Sequence, residues 1–198
     1  MTVLVVVVVA SAAALLLVLL HPLRASAHCD TMDGPTALDG RAALEANNLN
    51  HALKWVAPGA EQELREVFDK SVRVRALGAD AREVADRWFL ENLVRLHRAG
   101  EGAPFAGLRP SGVPVDPKVA AADRCVDEGS LQPLAGLVPP DRLPELEKRL
   151  AVVLERKGYD VDDVAAGRAF VQAYVSFFKF AEGGDEGHAH HTRTGHRH

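Results

Sequence analysis

The chain has 198 residues, 25% of them charged, which is enough for one domain with a sizeable core and requires no second one. Its 27 acidic and 23 basic residues give a formal charge of −4, and no basic face or aromatic stacking pattern accompanies that balance, which argues against a nucleic-acid partner. Two cysteines allow one disulfide and exclude paired zinc-type cysteines.

Taken in order, Val3 to Leu20 is almost wholly Val, Ala and Leu, followed by His21-Pro22-Leu23-Arg24 and then Ala25-Ser26-Ala27. The small-x-small triplet after a proline break is the pattern signal peptidase accepts, so residues 1–27 are expected to be a cleaved export signal. Retention as a membrane anchor is the alternative, since a membrane helix needs about 20 apolar residues. After cleavage, 171 residues remain, starting His28-Cys29-Asp30, with a charge of −5 because only Arg24 is lost. No membrane span is expected in that mature chain, and the compartment is secreted, periplasmic or cell-surface.

Asp33-Gly34-Pro35-Thr36 reads as a turn in which Thr36 caps a short helix, Ala37 to Ala46, ended by Asn47-Asn48. A second short piece, Leu49 to Val56, carries His51 and Trp55 four apart on one face. Glu61 to Ala76 places Leu64, Val67, Phe68, Val72 and Ala76 on one stripe, with acids at its start and Arg73 and Arg75 at its end, as the helix dipole favours. Ala79 to Ala99, with Val84, Trp88, Leu90, Leu93, Val94 and Leu96, is expected to be the central helix, and Glu91 is expected to pair with Arg95 along it.

Gly and Pro then dominate from Gly100 to Pro117. A connection this long inside a domain is uncommon and often functional; it is read as a ligand or partner groove or as a strap across the helices. Helices are expected again over Lys118 to Glu128 and Leu143 to Lys157, and a last one, capped by Asp160, carries Val164, Phe170, Val171, Tyr174, Val175 and Phe178. No β-alternation and no internal repeat occurs. The whole reads as an all-α helical bundle over residues 28–182, with a long Gly/Pro-rich connecting segment and a disordered histidine-rich tail from 183 to 198. The tail's His188, His190, His191, His196 and His198 either collect metal ions or are an incidental solvated end.

Chemistry concentrates at the expected chain end. A cut after Ala27 would bring together an α-amine, the His28 imidazole, the Cys29 amide and thiolate, and the Asp30 carboxylate. Amine, deprotonated amide and thiolate from two adjacent residues form fused chelate rings in a plane, which Ni(II) and Cu(II) prefer; Zn(II) accepts the same Cys and His but gains less from planarity. The candidate metal residues are His28, Cys29, Asp30, Asp33 and His51. Glu91 and His97, six apart on the central helix, point to different faces and do not share a metal. The alternative is a non-enzymatic structural or interaction protein in which a Cys29–Cys125 disulfide pins the chain end, adding about 3 to 5 kcal/mol in the chain-entropy model. No Ser-His-Asp order or phosphate-cradling glycine motif is present, and the residues name no reaction.

His28-Cys29-Asp30 and the Gly34 that follows resemble the start of mature nickel superoxide dismutases, which bind nickel through the terminal amine, the first imidazole and two cysteines. This chain has Asp33 where the second cysteine would stand and Thr36 where a Tyr would close the motif, so the resemblance implies metal binding more than it implies dismutation. A wider resemblance, carried by His28 to Pro35 and by Glu91 to Pro104, is to an uncharacterised family of exported bacterial proteins, a domain of unknown function. It implies export and a shared fold, with no activity attached.

Overall fold

The computed structural model describes residues 28–184; the expected export signal and the tail histidines lie outside the described residues. Within them the chain is all-α, with seven α-helices: α1 Pro35–Ala46, α2 Asn50–Leu53, α3 Glu61–Arg75, α4 Ala79–Gly100, α5 Pro117–Glu128, α6 Leu143–Arg156 and α7 Val164–Glu182. Among the described residues none is long and apolar enough to cross a membrane.

Local chemistry explains the helix boundaries. Pro35 occupies the first turn of α1, where its missing N–H costs nothing, and Asn47 ends that helix in the left-handed region at φ 49°. Thr36 lies inside α1 and does not cap it; Gly34 takes the cap position. Asp116 caps α5 by accepting from the Lys118 N–H at 2.9 Å. At α7 the cap is Asp163, which accepts from the Ala166 N–H at 2.9 Å, while the expected cap Asp160 accepts from the Asp162 N–H one turn earlier. Both aspartates make the short-range bond their side chain allows, and only Asp163 adjoins the first helical residue.

The centre of the core is α4, whose Phe89, Leu90, Leu93 and Val94 are fully buried against α3 and α1. The close approach of α1 requires Gly40, since a Cβ there would sit 2.6 Å from Leu90 Cδ2 and 2.8 Å from Leu93 Cδ2. Of the expected stripe of α4, Leu90, Leu93, Val94 and Leu96 are buried, but its first part is shifted by one residue: Val84 is 69% and Trp88 37% exposed, and Ala85 and Phe89 take the inward positions. Lys70 lies over the Trp88 ring, 5.5 Å from its centre, so the indole covers a lysine stem instead of filling the core. The expected Glu91–Arg95 pair is not made. Glu91 accepts from Arg87 at 3.1 Å, one turn back, and Arg95 reaches across to Glu63 of α3.

Helix α7 packs against α6 and α5. The Gly/Pro-rich segment is a strap whose residue 109 pairs with the chain ahead of α1: the Arg109 N–H donates to the Asp30 carbonyl at 2.7 Å and the Met32 N–H donates to the Arg109 carbonyl at 2.9 Å. This parallel bridge joins Thr31 to Arg109.

Candidate functional site

Residues 28–34 form a hook folded back on itself. The Gly34 N–H donates to the Thr31 carbonyl at 3.0 Å, and the Thr31 hydroxyl donates to the His28 carbonyl at 3.1 Å. A Cβ at Gly34 would lie 2.0 Å from the His28 carbonyl oxygen, so only glycine permits this fold. The turn delivers the His28 ring onto α7, stacked on Phe178 with ring centres 5.4 Å apart and planes 9° from parallel. Its Nε2 lies 2.7 Å from Asp123 Oδ2 of α5, and the other oxygen of Asp123 accepts from the Tyr174 hydroxyl of α7. Nδ1 of His28 is buried and has no hydrogen-bond partner.

Cys29 faces a cleft of about 290 Å³ with Arg98 and Glu101 from the end of α4, the strap residues Gly102 to Pro104, and Tyr174, Phe178 and Lys179 from α7. Burial, reinforced by the negative charges of Glu101 and Asp30, pushes the thiol up to about 12. It is therefore a neutral thiol at physiological pH, and a metal would have to displace its proton. Thr36 Oγ1 is buried without a well-directed hydrogen bond, and its hydroxyl works against that rise.

Beneath the cleft the buried Arg98 holds the acids in place. Its Nη1 donates to Glu101 Oε2 at 2.9 Å, and its Nε lies 3.6 Å from Asp30 Oδ1. Burial pushes the Asp30 carboxyl up against the pull of Arg98. For Glu101, burial also acts upward, but His97, Lys179 and Arg98 together outweigh it and hold the carboxyl low. His97 donates its Nδ1–H to the Trp55 carbonyl at 2.9 Å, because a carbonyl can only accept; its Nε2 lies 3.8 Å from Glu101 Oε2. Burial holds this histidine below its ordinary value.

The sequence-derived metal set is thus only partly brought together. His28, Cys29 and Asp30 share the hook. Asp33, in the place of a second cysteine, is exposed and turned to the strap, where its carboxylate accepts from the Gly112 N–H at 2.8 Å. His51 lies beside Asp162, ahead of α7, whereas His28 rests on Phe178, 14 residues after that helix begins at Val164. At 1.5 Å per residue this is about 21 Å, so His51 is not a ligand of the hook. Among the described residues, no group of three or more His, Cys, Asp or Glu side chains is placed to hold a metal ion; the amine and amide of a mature chain end are additional donors. The two cysteines are free thiols. Cys125 packs in the core of α5 beside the Leu134 backbone, so the bridge between them is not made.

Sequence reasoning missed Asp123, Arg98 and Glu101, and also Glu182, the last residue of α7, whose carboxyl is raised by burial and feels the charges of Asp116 and His28. Asp123 had a visible signal, an acid directly after the apolar run Val119 to Ala122. Arg98 and Glu101 lie in the Glu91 to Pro104 block that carries the family resemblance, but nothing local marked Arg98 as buried, since an arginine near a helix end usually faces water.

The model of a family of unknown function (DUF6448) matches residues 33–180. The chain belongs to that family. The match agrees with the expected uncharacterised domain, and it begins at Asp33, so His28 to Met32 stand outside it. No curated protein and no solved structure matches the chain. DUF6448 membership therefore brings no reaction with it, and the chemistry rests on this chain's own side chains.

Proposed function

We propose that this is an exported helical protein that binds Ni(II) or Cu(II), with Zn(II) as a weaker occupant, through an amino-terminal hook of His28 and Cys29. The observation that carries this reading is the His28 ring. One nitrogen is engaged by a carboxylate and the other is buried without a partner, the arrangement of metal-binding histidines, which give one ring N–H to an acid or carbonyl and offer the opposite nitrogen to the ion. A polar atom buried without a partner is costly to keep, and a ligand would satisfy it. Cleavage after Ala27 would add the α-amine and the Cys29 amide to the Nδ1 and the thiol. Asp33 is committed to the strap, so the second thiolate of the nickel dismutases has no counterpart and no dismutase reaction is proposed.

The test is amino-terminal sequencing and metal analysis of the exported chain with the five tail histidines, His188, His190, His191, His196 and His198, replaced by glutamine. A chain beginning at His28 with one equivalent of Ni or Cu is expected, and Cys29→Ser should abolish that equivalent. Stoichiometric binding that survives Cys29→Ser removes the hook as the site.

A further inference from the structure

We infer that Asp123, itself held by Tyr174, is a positioning residue that fixes His28 as its Nε2–H tautomer and so decides that Nδ1 is the nitrogen left open. The inference deepens the metal-binding reading and rests on it for its use, but the tautomer is a property of the metal-free protein.

The protons around one carboxylate decide the tautomer. Asp123 presents Oδ2 to His28 Nε2 at 2.7 Å, and Oδ1 accepts from the Tyr174 hydroxyl. An ionised carboxylate has no proton to give. Burial and the nearby charge of Asp123 hold the Tyr174 phenol well above its ordinary range, so it stays a donor. Nε2 must then carry the hydrogen. The parallel stack on Phe178 fixes the ring plane, and in the neutral imidazole Nδ1 is left as a bare acceptor. Nothing in the hook alone specifies this; it is imposed by α5 and α7.

Tyr174 also makes the acid hard to replace. In Asp123→Asn the phenol oxygen of Tyr174 could accept from the amide NH2, but the buried Tyr174 hydrogen would then lose its acceptor; keeping that hydrogen bonded places the amide oxygen toward Tyr174 and the NH2 toward His28. In that orientation Nε2 accepts, the hydrogen moves to Nδ1, and the metal-facing nitrogen is blocked. Tyr174→Phe alone should leave the tautomer unchanged, because the carboxylate still accepts from Nε2. Combined with Asp123→Asn it frees the amide to rotate its oxygen toward Nε2, so the double variant should recover part of what the single one loses.

The experiment uses the exported full-length chain labelled with 15N-histidine, free of metal, at about pH 8, where an ordinary histidine is neutral. The ring signals of His28 are assigned by their loss in His28→Gln. The expected result is the Nε2–H tautomer in the wild type and in Tyr174→Phe, and the Nδ1–H tautomer in Asp123→Asn. In the chain with the tail histidines replaced, Ni(II) binding should weaken by about 10- to 100-fold in Asp123→Asn, with partial recovery in the double variant. A wild-type His28 carrying its hydrogen on Nδ1 would overturn the inference, and that measurement needs no variant of Asp123 to fold. So would an Asp123→Asn chain with unchanged tautomer and Ni(II) affinity while Cys29→Ser still abolishes binding, which leaves the hook reading standing alone. Conversely, a tautomer that switches as expected in a chain whose Ni(II) binding ignores Cys29→Ser supports the positioning role and removes the hook reading.

Discussion

In α3 and the first half of α4 the side chains taken out of water are Leu64, Val67, Phe68, Ala85, Phe89 and Leu90, and the charged groups stay outside, paired across the surface as in Arg87–Glu91. Ser71 Oγ is the one buried polar side-chain atom without a partner in that stretch among the described residues. At the hook end, by contrast, His28 Nδ1, Asp30 Oδ1, Thr36 Oγ1, His97 Nε2 and Glu182 Oε2 are all buried without a hydrogen bond. Apart from Ser71, the first region buries only apolar side chains. In the second, Asp30 Oδ1 and His97 Nε2 still face charged partners, Arg98 at 3.6 Å and Glu101 at 3.8 Å, whereas His28 Nδ1 has none, and a folded protein retains such groups only where the rest of the structure holds them in place.

The largest way to test this contrast is Phe89→Ala. The ring is fully buried and meets Phe68 with centres 5.4 Å apart; its removal should cost about 3 to 5 kcal/mol, read from the urea midpoint. The Ni(II) affinity of the molecules that remain folded should not change. A loss of affinity larger than the loss of folded protein would show that the two regions are coupled.

Gly34→Ala should act the other way round. The added methyl meets the His28 carbonyl at 2.0 Å, and the clash must open the hook. Global stability should fall by only about 1 to 3 kcal/mol, but amide exchange at Met32 and Arg109 should accelerate sharply and metal binding should fail. Retained protection of those two amides would contradict the geometry of the hook.

The smallest effect is expected from Glu182→Gln, and it has a sign. Burial, with Asp116 adding to it, raises this carboxyl from 4.5 to about 7. A carboxyl raised in the folded state binds its proton more tightly there than in the unfolded chain. Its contribution is present below pH 4.5 and lost as pH rises through about 7. The glutamine variant should therefore match the wild type at low pH and exceed it slightly at pH above about 7, in paired urea titrations. Equal stability of the two proteins at every pH would place Glu182 in water. His97 opposes this trend, because its lowered value disfavours the folded state as pH falls below 6.5.

The helices were legible in the sequence because periodicity, end charges and Gly/Pro breaks all act locally. The boundaries of α3 and α5 lie within one residue of expectation. The phase of α4 was harder: Trp88 and Phe89 are adjacent bulky aromatics, and which one faces inward depends on α3 and α1, which no local window contains. The hook was visible as a set of donors, but its partners were not. Asp123, Tyr174 and Phe178 lie at least 95 positions after His28 in the chain; Asp123 and Phe178 meet its ring, and Tyr174 meets Asp123, only because α5 and α7 pack together. His51 stands apart from the hook for the same reason, since closeness in sequence to the hook says nothing about which end of α7 it faces.

A chain end ordinarily frays over its first few residues, and a metal that must collect donors from a frayed end loses affinity to the disorder it has to remove. The parallel bridge between Thr31 and Arg109 changes that arithmetic. Both backbone bonds to Arg109 lie within five residues of His28, so a terminus created at that position would be moored almost at its first atom. The strap then serves as the far jaw of a clamp. A protease that cut residues 101–116 would be expected to release the hook without touching any of its donor atoms.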